Sequence, residues 1–279
     1  MSDENKAKEI QQKMGNPQDM FRLTAEQEQE SENLLDLDPL QLYFGEDYVI
    51  NDKIKIRQPT IGDILEYGEA NVYGAAGPFI TNPTTHRVEL WKSGIDWNKI
   101  DDYSFFMMQI QTIDPNYSPI LFRDIDFSQF LPSVTERDGV EVPTLYNAVQ
   151  DIEIDEPTFT HMCKYLQYMF NTTPKVEHIK GSKNTKYEVI CEDIMFRKKN
   201  RKIESQSSLL PMISFCLNHP GFKYKKSELK EVGIVEFMDS VKRLQIYEST
   251  NALIKGAYSG FMDTRNIDKN EFNFMRDVG

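Results

Sequence analysis

Hydrophobic and polar positions alternate over residues 53–56, where Ile54 and Ile56 are interleaved with Lys53 and Lys55. With Val49, Ile50 and the turn pair Asn51-Asp52, this period of two predicts short strands over residues 40–56 and a β-hairpin with one buried face. Pro59 then ends the strand. Thr60 can cap a helix, with Asp63 three residues on in a variant of the capping box. Ile61, Ile64, Leu65 and Gly68 follow along one helical face. The stretch Gly74-Ala75-Ala76-Gly77 reads as a flexible turn. Asn82-Pro83 starts another helix, which Gly94 ends. Asp101 or Asp102 caps the next, with Phe105, Met108 and Ile110 as its apolar surface and Pro115 beyond its end. "IDFSQFLPSV" and "VEVPTLY" read as strands around Arg137-Asp138-Gly139, because Asp-Gly is a strong two-residue hairpin signal.

From about residue 155 the period changes to that of a helix. Asp155 caps and Pro157 takes an early helical position, and Phe159, Met162, Cys163, Leu166, Met169 and Phe170 form a stripe. After a loop at residues 180–185, a second helix carries Val189, Ile190, Ile194 and Met195 and ends in "RKKNRK". A third runs from about Ser207 to Leu217, with Pro211 in its first turn. Residues 227–261 suggest a helical hairpin with Ile234, Phe237, Met238, Val241 and Leu244 as one stripe. Ala252, Gly256 and Gly260, spaced by four, read as a site of close approach by another helix, the alternative being a loose turn.

The expected fold class is α+β: short N-terminal β-hairpins with helices, followed by a mainly α-helical C-terminal region. Residues 39–152 form the α+β region and residues 153–279 the helical one, or 39–279 make one domain; thirty Phe and Tyr residues are ample for a core. Residues 1–38 hold four basic residues against ten acidic ones, half of the chain's net charge of −12. They read as an acidic mobile arm, either a solvated tail or a segment that folds on a partner. The acidic balance argues against a broad nucleic-acid surface. Three cysteines do not make a disulfide framework, which suits a reducing cytoplasm. No apolar run reaches the length of a membrane span, and no secretory leader is expected.

The glycines of "RQPTIGDILEYGEANVYGAAGPF" (57–79) raise the question of a phosphate cradle, but the spacing lacks the lysine of a phosphate loop and the strand–helix context of a dinucleotide fingerprint. His161 with Cys163, and Cys216 with His219, are sparse for a zinc centre, which takes four closely placed ligands. Asn266, Asp268 and Asn270 match the start of a calcium loop, but Glu271 stands where its turn requires glycine; Asp268 reads better as a helix cap. No nucleophile elbow or zincin motif occurs. The expectation is therefore a protein that is not an enzyme, with no catalytic, cofactor-binding or metal residue and no cofactor. "RKKNRK" and Lys223, Lys225 and Lys226 read as solvated cations or as contacts for an acidic protein surface, with nucleic acid as the lesser alternative. Trp91 and Trp97 flank the Gly94 turn as core residues or as an exposed anchor.

Three stretches, "IKIRQPTIGDILEYGE" (54–69), "VELWKSGIDWNKIDDYSFF" (88–106) and "FMDSVKRLQIYESTNALIKGAYSGFMDTRNIDKNEFNFMRD" (237–277), together resemble proteins encoded among the tail genes of bacteriophages that infect low-GC Gram-positive bacteria. The resemblance implies a tail assembly chaperone acting near the tape-measure or tail-tube protein in the host cytoplasm. The alternative is a structural virion component at a connector, baseplate or tail. It rests on fold residues, so it transfers no active site. An acidic chain with a helical C-terminal region can hold long helical partner segments through apolar helix-in-groove contacts. A metal-dependent intracellular enzyme acting on nucleic acid is the reading from a different class; a deep carboxylate cluster would distinguish it.

Overall fold

Asn51 shapes a tight turn with its side chain: its Oδ1 accepts from the backbone N–H groups of Lys53 (3.0 Å) and Ile54 (2.8 Å). That turn joins β1 (Tyr48–Val49) to β2 (Lys55–Ile56), antiparallel, with Tyr48 opposite Ile56. Ile54 and Ile56 are fully buried, as the alternation requires, while residues 39–43 form a short helix α1 (Pro39–Tyr43) rather than a strand. The computed structural model describes residues 38–137, 139–204, 207–260, 265 and 267–276. Of the expected arm, residues 1–38, all but Asp38 lie outside them, as do Asp138, Phe261 and Asn266. Residues 39–279 form one compact unit.

Helix α2 (Ile61–Tyr67) begins with the predicted capping box: Thr60 Oγ1 accepts from the Asp63 N–H (3.1 Å) and the Asp63 carboxylate accepts from the Thr60 N–H (2.9 Å). Ile61 and Ile64 are buried, but Leu65 faces solvent. Gly68, at φ 87°, turns the chain directly into α3 (Glu69–Ile80). The Gly-Ala stretch is thus helix, not a flexible turn. Ala75 and Ala76 are buried with Val72 and Phe79 where α3 packs on α7 (Glu156–Met169), and that burial outweighs the low helix propensity of Gly74 and Gly77.

Helix α4 (Arg87–Lys92) starts later than Asn82-Pro83, whose Asn82 Oδ1 caps a preceding turn by accepting from Thr85; Gly94 ends the helix at φ 77°. Asp101 caps α5 (Asp102–Gln109). Phe105 and Ile110 are buried and Met108 is exposed. After α6 (Pro119–Phe122), β3 (Leu131–Arg137), β4 (Val140–Asn147) and β5 (Ile152–Ile154) make an antiparallel sheet in that order, with Arg137 opposite Val140 across the two-residue turn. The sequence reading missed β5, although Ile152 and Ile154 alternate with acids. Asp155 then caps α7 by accepting from the Thr158 N–H (2.9 Å).

The core is aromatic and crosses residue 152. The Phe79 ring lies 4.9 Å from Phe106, 5.0 Å from Phe122 and 6.3 Å from Phe159, joining α3, α5, α6 and α7. Beyond it lie α8 (Lys183–Glu204), α9 (Leu209–Asn218) and α10 (Ile234–Ser259). Helix α10 is one continuous helix of 26 residues, not a hairpin. Gly260 is its left-handed stop, at φ 72°, and a side chain there would meet nothing within 4 Å. With Ala252 exposed as well, these two positions mark no close helix contact. Small sheets beside a majority of helix make the class α+β.

Candidate functional site

The stretch at residues 57–79 is a structural junction. The Ile61 N–H donates to the Val232 carbonyl (2.9 Å) and the Ile234 N–H to the Pro59 carbonyl (3.0 Å), so the start of α2 and the start of α10 hold each other. Each acid with a partner here serves a helix end. Asp63 closes its capping box and accepts from Arg57 (2.7 Å). Glu69 reaches the start of α9, where its carboxylate accepts from the Ser208 N–H (2.8 Å), the Ser208 hydroxyl (2.6 Å) and the Leu209 N–H (3.2 Å). Burial pushes the Glu69 carboxyl up, but these bonds and one from Ser207 together hold it below the usual carboxylate range. None of this is a ligand cradle.

Trp97 is buried in a cluster with Val88, Leu90, Phe105 and Ile190, and Trp91 packs half-buried against it with ring centres 6.0 Å apart. The pair is core rather than an exposed anchor. It seats α8 on α4, where Lys186 bridges Asp96 (2.6 Å) and Arg87 bridges Asp193 and Glu177. Beside it a cleft of about 460 Å³ is lined by Trp91, Ile95, Asp96, Lys183 and Lys186.

Cys163 is half-buried on α7, and burial pushes its thiol well up, toward the protonated form that binds metal poorly. Cys216 is buried. Neighbouring His219 is occupied at both nitrogens: Nδ1 accepts from the Gly221 N–H (3.0 Å), leaving Nε2 to donate to Glu248 (3.0 Å). Asp268 caps the turn Lys269–Phe272. Among the described residues no group of three His, Cys, Asp or Glu side chains is placed to hold a metal ion. Of the basic cluster, Arg197 is tied to Glu89 (2.6 Å), while Lys198 and Lys199 face solvent.

An exposed apolar surface lies on α10 and the segment after it. Tyr247, Ile254 and Tyr258, spaced seven and four apart, fall on one face of the helix. Tyr247 is 50% and Tyr258 89% exposed. Arg276 fixes the returning chain against this helix, donating to Thr250 Oγ1 (2.9 Å), Ser249 Oγ (3.0 Å) and the Glu271 carbonyl (2.6 Å). That clamp sets Phe274 against Tyr247, ring centres 5.6 Å apart, and leaves Met275 exposed beside it. The sequence reading singled out Ala252, Gly256 and Gly260 on this helix and passed over its tyrosines, whose spacing was the available signal. Among the described residues no helix is long and apolar enough to cross a membrane. No protein-family model, curated protein or solved structure matches the chain.

Proposed function

We propose that the chain is a non-enzymatic morphogenesis protein of a bacteriophage tail, a tail assembly chaperone that holds the tape-measure or another tail protein in the host cytoplasm before assembly. The observation that carries this reading is the aromatic stripe of α10. Tyr247, Ile254 and Tyr258 repeat at the spacing with which one helix reads another, and Phe274 and Met275 widen the strip. An apolar strip on a rigid helix suits long helical segments that need cover until they assemble. It also lies within residues 237–277, the longest of the stretches that carry the resemblance to tail-gene proteins.

Co-expression with tape-measure and tail-tube proteins of a bacteriophage tail tests the proposal. A stable complex with one of them, lost on Tyr247→Ala/Tyr258→Ala, is expected. A folded protein that captures neither would overturn it. Stoichiometric presence in purified particles would instead favour the structural virion component.

A further inference from the structure

The β3–β4 hairpin extends past the sheet that anchors it. Leu145 is buried where β5 pairs with β4, but from Leu131 to Arg137 and from Val140 to Pro143 every described residue is exposed or half-buried, on both faces. One face of this ribbon is tied back, where Thr135 donates to Glu153 of β5 (2.8 Å) and Arg137 bridges Asp155 at the start of α7; the other face has no such tie among the described residues and carries a liability. Its register sets Glu136 directly opposite Glu141, and like charges in that position repel. Val134 and Pro143 form the adjacent pair on the same face, with Val134 61% exposed. Among the described residues neither glutamate has a cationic partner.

Helix α8 presents the complement. Ile190, Ile194 and Arg197 turn toward α4, so Met195, Lys198 and Lys199 lie on the outward side, Met195 one turn before the two lysines. All three are exposed, and among the described residues neither lysine is paired. Each surface is therefore one apolar contact beside two like charges, acidic on the hairpin and basic on the helix.

We propose that the protein self-associates head to tail, the β3–β4 tip of one copy docking on the outward face of α8 of the next. Glu136 and Glu141 meet Lys198 and Lys199, and Val134 packs on Met195. Because the two patches differ, the contact is heterologous, building a ring or an open chain instead of a two-fold dimer. Opposite charges between the two glutamates also relieve their mutual repulsion, which gives the register a purpose that the isolated fold does not.

Charge reversal tests this on the full chain by sedimentation or mass photometry at low salt. The wild type should run larger than its 32.5 kDa monomer and dissociate as salt screens the contact. Glu136→Lys/Glu141→Lys and Lys198→Glu/Lys199→Glu should each run as monomers with unchanged thermal unfolding. Mixing the two variants should restore assembly, since the basic tip of one then meets the acidic helix of the other. A wild type that stays monomeric at low salt, variants that assemble as it does, or a mixture that remains monomeric would each overturn the proposal.

Discussion

A β-carbon on Gly62 would stand 2.7 Å from the backbone carbonyl oxygen of Lys230, closer than real side chains come to a backbone atom. Gly62 is therefore glycine because two chain segments 168 positions apart in sequence touch there, in the junction where Ile61 pairs with Val232. Gly74 contrasts with it: a β-carbon there meets nothing within 4 Å, inside a helix. Gly62→Ala should destabilise by about 1–3 kcal/mol, as overpacking does. Gly74→Ala should stabilise by about 0.5–1 kcal/mol, by helix propensity and lost freedom of the unfolded chain. Urea titration of the two variants beside wild type checks both signs.

The Thr60 cap gives a prediction of similar size. Removing its hydroxyl with Thr60→Ala leaves the Asp63 N–H at the start of α2 without its acceptor. The expected loss is about 1 kcal/mol, read as a lower urea midpoint, with Thr60→Ser close to wild type. Equal losses in the two variants would mean that the methyl group, not the hydroxyl, matters.

Features written by neighbouring residues were legible in the sequence. The caps at Thr60, Asp101 and Asp155, the Asn51 turn and the pairing of β3 with β4 each depend on residues within a few positions, so spacing alone reveals them. What spacing could not reveal is which side of an element meets the rest of the chain. Leu65, Met108 and Met195 belong to apolar patterns yet face solvent, and the Gly-Ala stretch is helical with Ala75 and Ala76 buried in the tertiary packing. The α10 stripe was legible in part: Tyr247 and Tyr258 stand at helical spacing in the sequence, but only the placed helix shows that they are exposed.

Arg87 fastens α8 to the body. Its guanidinium, mostly buried, donates to Asp193 (2.7 Å) and Glu177 (2.6 Å), and the bonds it gives to Asp193 lead the influences that hold it charged. Arg87→Met leaves both carboxylates without that partner. They keep some access to water, so the expected cost is about 1–3 kcal/mol, below the ~3–5 kcal/mol of a fully buried pair. Hydrogen exchange should quicken over residues 186–197 and stay unchanged in α7. Unchanged exchange in α8 would show that the Trp97 cluster and the Lys186 and Arg197 bridges suffice to hold it.

Asp155 links stability to pH. Burial pushes its carboxyl up, but the hydrogen bonds from Thr158 and the nearby Arg137 guanidinium outweigh that and hold it below its usual value. A depressed folded value means the unfolded chain binds the proton more readily. The stabilisation is thus complete above the unfolded value near 3.9 and is lost as pH falls through the folded one. Asp155→Asn keeps a good cap for α7 but removes the charge. It should be less stable than wild type at pH 7, with the gap closing from about pH 5 downward as wild type loses its advantage. Melting temperatures at several pH values decide it; a constant gap would assign the effect to packing.

Tyr258 separates binding from folding. At 89% exposure its ring contributes little to the core, so Tyr258→Ala should leave the melting temperature nearly unchanged. If α10 is the face that holds a tail protein, the same change removes an aromatic anchor near the end of the strip, and such anchors carry about 2 kcal/mol or more of an interface. Affinity for the co-expressed partner should then fall at least about tenfold, since 1.4 kcal/mol is a factor of ten. Lys255→Ala, on the same turn and also exposed, serves as the control and should change affinity little. Equal losses in both variants would point to a diffuse electrostatic contact. A loss confined to Tyr258 identifies the aromatic stripe as the surface the partner reads.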